Sequence, residues 1–149
     1  MGTSADRPYL DVIYKLCETM TADGSFAPIM KLSKDKIILP GRKQVYRFKN
    51  AEGNFEKDVI ALANEKVQGE PLLVKVMDKG KLIYNLPSLD EIRATASENL
   101  SKLPEDYKVL TGAPVYPVEL SRNLQNLIKT LKRQLTINEI SHGVSNSQA

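Results

Sequence analysis

The chain has 149 residues, 42% of them hydrophobic and 26% charged, which is enough for one domain that buries its own core. Its single cysteine, Cys17, excludes a disulfide framework. No apolar run approaches the ~20 residues of a membrane span, and residues 1–8 lack the apolar core of a secretory signal. The expectation is therefore a soluble cytoplasmic protein. Lys and Arg number 21 against 18 Asp and Glu, a net +3 that is spread along the chain, whereas a nucleic-acid binder concentrates its cations on one face.

The first part of the chain reads as strands. Residues 10–16 (LDVIYKL) are rich in β-branched and aromatic types, and residues 21–25 (TADGS) form a turn before a second apolar run over 27–32. Residues 36–39 (KIIL) stop at Pro40-Gly41. Residues 44–48 (QVYRF) alternate, which puts Val45 and Arg47 on one face and Tyr46 and Phe48 on the other. The loop at 50–54 (NAEGN) joins them to a partner strand over 55–63. Residues 72–77 and 81–84 flank Asp78-Lys79-Gly80, again as a hairpin.

The period changes after Pro87. Ser88 and Glu91 are spaced as a capping box, in which the serine oxygen accepts an N–H and the glutamate reaches back. Leu89, Ile92, Ala96 and Leu100 then share a helical face, which Pro104 ends. A connector over 111–117 leads to a second helix with an apolar stripe of Leu120, Leu124, Leu127, Ile128, Leu131 and Leu135. Arg122, Lys129, Lys132 and Arg133 lie off that stripe. The expected fold is α+β: short antiparallel strands, sandwich or barrel-like, followed by two helices. Residues 1–87 form the β-rich region, 88–140 the helical region packed on it, and 141–149 a disordered tail.

Catalytic chemistry needs converging side chains, and few are present. His142, the only histidine, lies in the polar tail with no neighbour to orient it, and Cys17 reads as a small buried hydrophobe. One Cys and one His do not make a zinc site. Asp90-Glu91 suits a helix N-terminus, and Glu105-Asp106 lies in a turn after Pro104. No phosphate-binding glycine loop is found. The densest cationic turn is Gly41-Arg42-Lys43, where Arg42 and Lys43 could meet an anion, although a solvated hairpin corner is the plainer reading.

Several stretches together resemble the nicotinate phosphoribosyltransferase family, specifically its C-terminal part. They are TSADRPYLD from Thr3 to Asp11, VIYKL to Leu16, PIMKLS from Pro28, LPGRKQVYR from Leu39 to Arg47, GEPLL from Gly69 and YPVELS from Tyr116. The third-last of these, LPGRKQVYR, is the most specific, and the resemblance spans residues 3–131. It implies an enzyme that joins nicotinate to phosphoribosyl pyrophosphate, coupled to ATP hydrolysis through a phosphorylated histidine, and gives nicotinate mononucleotide for NAD biosynthesis. It further implies an α/β barrel with an additional domain made by both chain ends, and an active site at the barrel mouth completed across a homodimer.

On that resemblance the barrel and its reactive histidine would lie upstream of this chain, and His142 does not match that histidine. No catalytic residue and no metal ligand is carried over. Thr3 and Ser4 fall just past the family's phosphate-binding segment, so with Arg42 and Lys43 they are the candidates for substrate or anion contact. The expectation is a truncated or split piece without its own active site. It binds no cofactor itself, while ATP and phosphoribosyl pyrophosphate belong to the full-length family. Its expected partner is the missing barrel and N-terminal part or a homodimer mate, with no nucleic acid and no membrane. The alternative is a stand-alone interaction module that docks through the leucine-striped last helix or an open sheet edge.

Overall fold

The computed structural model describes residues 15–31 and 38–145, with side chains to residue 136. Residues 10–14 of the run expected over 10–16, all of residues 32–37, and Thr3 and Ser4 lie outside the described residues. The chain divides into two compact units, 1–42 with 128–149, and 43–127.

In the first unit, β1 (Glu18–Met20) and β2 (Phe26–Pro28) pair antiparallel, with Met20 opposite Phe26. Their turn is held by Asp23, whose carboxylate accepts from the Ser25 N–H at 3.1 Å, the Ser25 hydroxyl at 2.8 Å and the Thr21 hydroxyl. These bonds hold the Asp23 carboxyl down at about 2. Gly24 takes a positive φ of 82°, which a Cβ would disfavour.

The second unit is built on a four-stranded sheet in the order β5-β3-β4-β8. β3 (Lys43–Lys49) and β4 (Phe55–Leu62) form the expected hairpin, Val45 opposite Ile60 and Arg47 opposite Asp58. β5 (Glu70–Pro71) runs antiparallel along β3, and β8 (Val118–Leu120) runs parallel along β4. This parallel edge strand directly follows the connector and takes Leu120 from the expected helix stripe. β4 places Phe55, Asp58 and Ala61 in the interior.

Residues 72–77, expected as a strand, are extended chain over most of their length, and only Met77–Asp78 forms β6, paired with β7 (Lys81–Leu82). At Leu73 the physical reason lies in Gln44. Its side-chain amide donates to the Leu73 carbonyl at 2.8 Å, and its side-chain oxygen accepts from the Leu73 N–H at 2.9 Å, so a side chain fills the place of a ladder partner. The β6–β7 hairpin turns on Lys79 and Gly80, both at positive φ (46° and 76°), as a tight two-residue turn requires.

α1 (Leu89–Lys102) starts on the expected capping box. Ser88 Oγ accepts from the Glu91 N–H, and the Glu91 carboxylate accepts from the Ser88 N–H at 2.7 Å. α2 (Arg122–Ser145) begins two residues later than the stripe suggested, because Leu120 closes β8. Ser121 starts it: its hydroxyl oxygen accepts from the Leu124 N–H at 3.1 Å. Leu124 is fully buried and Leu127, Ile128, Leu131 and Leu135 are half-buried, while Arg122, Lys129, Lys132 and Arg133 are exposed. The α2 backbone is helical to Ser145, so it enters the stretch read as a tail, and His142 is part of it.

Candidate functional site

The LPGRKQVYR stretch is tied into the fold residue by residue. Pro40 is fully buried, Gly41 takes a positive φ of 75°, and the Gly41 N–H donates to the Cys17 carbonyl at 2.7 Å. That carbonyl also accepts from Ile29, which brings residue 41 beside the β1–β2 hairpin. Arg42 meets Glu18 there. Its Nε and Nη2 donate to one Glu18 carboxylate oxygen at 3.0 and 2.8 Å, and its backbone N–H donates to the other at 3.0 Å. The guanidinium carbon also stands 5.2 Å from the centre of the Phe26 ring. The candidate cation of the turn thus has its charge answered by a carboxylate 24 residues earlier. Lys43 opens β3 opposite Leu62.

Arg47 is the second guanidinium of the stretch. Nε and Nη2 donate to the two oxygens of Asp58 at 2.9 and 2.8 Å, a bidentate pair with side chains 24% and 12% exposed. Its guanidinium lies 4.3 Å from the Phe55 ring centre, and the Asp58 bond raises its pKa above the ordinary arginine value. Tyr46 donates through its hydroxyl to the Glu65 carbonyl at 3.2 Å. The Glu65 carboxylate accepts from the Leu62 N–H at 2.8 Å and from the Ser121 hydroxyl at 2.6 Å, which links the hairpin to the start of α2.

Gly69 explains the next stretch. A Cβ there would come within 3.0 Å of Tyr46 Cβ, 3.1 Å of the Phe48 ring and 3.2 Å of the Arg47 carbonyl. A side chain there would force β3 to give by a few tenths of an ångström, and glycine lets β5 lie this close without that shift. YPVELS is equally structural: Pro117 accepts from the Asp58 N–H at 3.0 Å, residues 118–120 form β8, and Ser121 caps α2.

One cleft opens in this unit between α1 and the β3–β4 hairpin. It has a volume of about 350 Å³ and is lined by Arg47, Phe55, Ala96, Asn99, Leu100, Leu103 and Tyr116. The Tyr116 hydroxyl is shielded from solvent and forms no hydrogen bond within normal geometry. Burial, and then the nearby Asp58 charge, pushes its pKa above 10. Sequence reasoning missed this cleft, because it depends on where α1 sits over the sheet. Among the described residues no group of three or more His, Cys, Asp and Glu side chains could hold a metal ion. Among them, too, no helix is long and apolar enough to cross a membrane.

This pattern of residues recurs in known proteins. Residues 66–128 match the family model of the nicotinate phosphoribosyltransferase C-terminal domain. The chain matches the C-terminal portion of the nicotinate phosphoribosyltransferase family. It is 33% identical over 154 residues to nicotinate phosphoribosyltransferase of Mus musculus, covering 87% of this chain and 28% of the mouse protein. A nicotinate phosphoribosyltransferase of Mycobacterium tuberculosis is 38% identical over 130 residues, covering 85% of this chain and 27% of its own length. The crystal structure of human nicotinic acid phosphoribosyltransferase superposes with a TM-score of 0.61 at 30% identity, over 72% of this chain and 26% of that one. The chain therefore spans little more than a quarter of the relatives it matches. The family's short strands in sheets and following helices are the α+β arrangement described above.

Proposed function

We propose that this chain is the C-terminal portion of an enzyme that joins nicotinate to phosphoribosyl pyrophosphate, with ATP hydrolysis, in NAD biosynthesis. On this reading it has no active site of its own and works only with the barrel-bearing remainder. The observation that carries the reading is the coverage: the relatives match 81–87% of this chain across 27–30% of theirs. ATP and phosphoribosyl pyrophosphate are then ligands of the assembled enzyme. The test is nicotinate mononucleotide formation by the purified chain, alone and co-expressed with the upstream portion of a relative. None alone and turnover on co-expression is the expected result. Turnover by the lone chain overturns the missing-site reading, and no turnover in either case overturns membership of a working enzyme.

Within that assembly Thr3, Ser4, Arg42 and Lys43 are this chain's candidates for contact with the anionic substrates. The Glu18 pairing favours a corner-holding part for Arg42. Arg42→Gln in the reconstituted enzyme separates the two roles. A raised KM for phosphoribosyl pyrophosphate at unchanged Tm supports contact, and a lowered Tm at unchanged KM supports the corner.

A further inference from the structure

The two helices start differently. α1 carries two acids in its first turn, Asp90 and Glu91, and is capped by the adjacent Ser88. α2 is 24 residues long and has no acid in its first turn, which opens instead on Arg122. The aligned peptides of a helix place about half a positive charge at its N-terminus, so an anion there is favourable and a cation is not. The sequence of α2 therefore lacks the negative charge that its own first turn favours.

A carboxylate nevertheless stands at that end of the helix. It belongs to Glu65, 56 residues before Ser121 in the chain, and it accepts from the Ser121 hydroxyl at 2.6 Å, the length of a charge-assisted bond. Ser121 Oγ in turn accepts from the Leu124 N–H at 3.1 Å, and the Ser121 carbonyl accepts from the Gln125 N–H at 3.0 Å. A hydroxyl has one proton. Donating it to Glu65 leaves a lone pair for Leu124, so the carboxylate also aims the cap. The sheet holds Glu65 in place with bonds of its own. The Glu65 N–H donates to the Leu62 carbonyl at 2.9 Å, and its carbonyl accepts from the Tyr46 hydroxyl at 3.2 Å. The carboxylate oxygen that meets Ser121 accepts from the Leu62 N–H as well, at 2.8 Å. These partners belong to β3 and to the end of β4.

We propose that Glu65 is a positioning residue that gives α2 its N-terminal negative charge from the sheet, so that the first turn of α2 is stable only on a folded β3–β4 hairpin. α1, with its own cap and acids, starts from adjacent residues. α2 starts from a contact across the fold, which couples the beginning of the last helix to the sheet. This coupling is built into the chain and stands independently of the function proposed above.

The test is amide exchange of the Leu124 and Gln125 N–H groups in the full 149-residue chain. Glu65→Gln keeps the side-chain shape and an accepting oxygen and removes the charge. It should speed exchange in the first turn of α2 roughly fivefold, while the β3–β4 amides exchange as in the wild type. Asn123→Asp added to Glu65→Gln returns a negative charge from within the first turn, and should bring the rate back to that of the wild type. Arg122→Gln in the wild-type chain, at an exposed position, should slow first-turn exchange about twofold. Unchanged first-turn exchange in Glu65→Gln overturns the proposal, as does a loss that Asn123→Asp leaves uncorrected or faster exchange in Arg122→Gln. Loss of β3–β4 protection along with that of α2 would show that Glu65 holds the sheet rather than the helix, and overturns it too.

Discussion

Two stretches of the second unit, close in sequence, are finished to different degrees. Along β3 and β4 the polar side chains have partners within the chain: Gln44 with Leu73, Tyr46 with Glu65, Arg47 with Asp58, Lys57 with Glu119. Over residues 72–118 the difference lies in the apolar side chains. Leu73, Val76, Leu86, Leu89, Ile92, Leu110 and Val115 are exposed, and Leu110 as fully as in an extended chain. The first stretch closes its own hydrogen bonds and specifies the hairpin. The second keeps local structure through a tight turn and a capping box and presents apolar surface outward. Local signals alone therefore shape this face.

Substitutions in the finished stretch test this contrast most strongly. Asp58→Ala leaves the Arg47 guanidinium half-buried and uncompensated, and should cost about 3 kcal/mol, read as a lowered urea midpoint. A neutral result would show that the β3–β4 pairing is not what specifies the sheet. Gly69→Ala should follow at about 1–3 kcal/mol, because its Cβ would press on Tyr46, Phe48 and the β3 backbone. In the unfinished stretch the effects are smaller. Ser88→Ala should cost about 1 kcal/mol and fray α1, seen in its amide exchange. Leu110→Ser, at a fully exposed site, should leave the Tm of the lone chain nearly unchanged.

The smallest effect is local to the first unit. Asp23 sits at about 2 against an ordinary 3.8, so its contribution to the turn is full above pH 3.8, declines as pH falls below that, and is gone once pH has fallen through 2. A carboxyl titration by NMR that places Asp23 near 3.8 would contradict the hydrogen bonding described for the turn.

Much of the architecture is legible in the sequence where the determinants are local. The alternation of 44–48, the Ser88–Glu91 spacing and the leucine stripe from Leu124 onward appear where their periods put them. What escapes sequence reasoning depends on partners far along the chain. β8 is a three-residue strand that exists because β4 pairs with it, and Leu73 leaves the ladder because the Gln44 side chain takes the place of its backbone partner. The Arg42 turn was visible as a cationic corner, but its partner Glu18 lies 24 residues away and no spacing rule connects them. Gly69 was part of the family-like stretch, and only the closeness of β5 to β3 shows why glycine stands there. Ser121, three residues before Leu124, carried a usable cap signal that the stripe beginning at Leu120 obscured.

The measurement that bears most directly on the central claim is nicotinate mononucleotide formation by the purified 149-residue chain, with and without the upstream portion of a relative. The account predicts no product from the chain alone and product when the two polypeptides are combined. Product from the chain alone would contradict it.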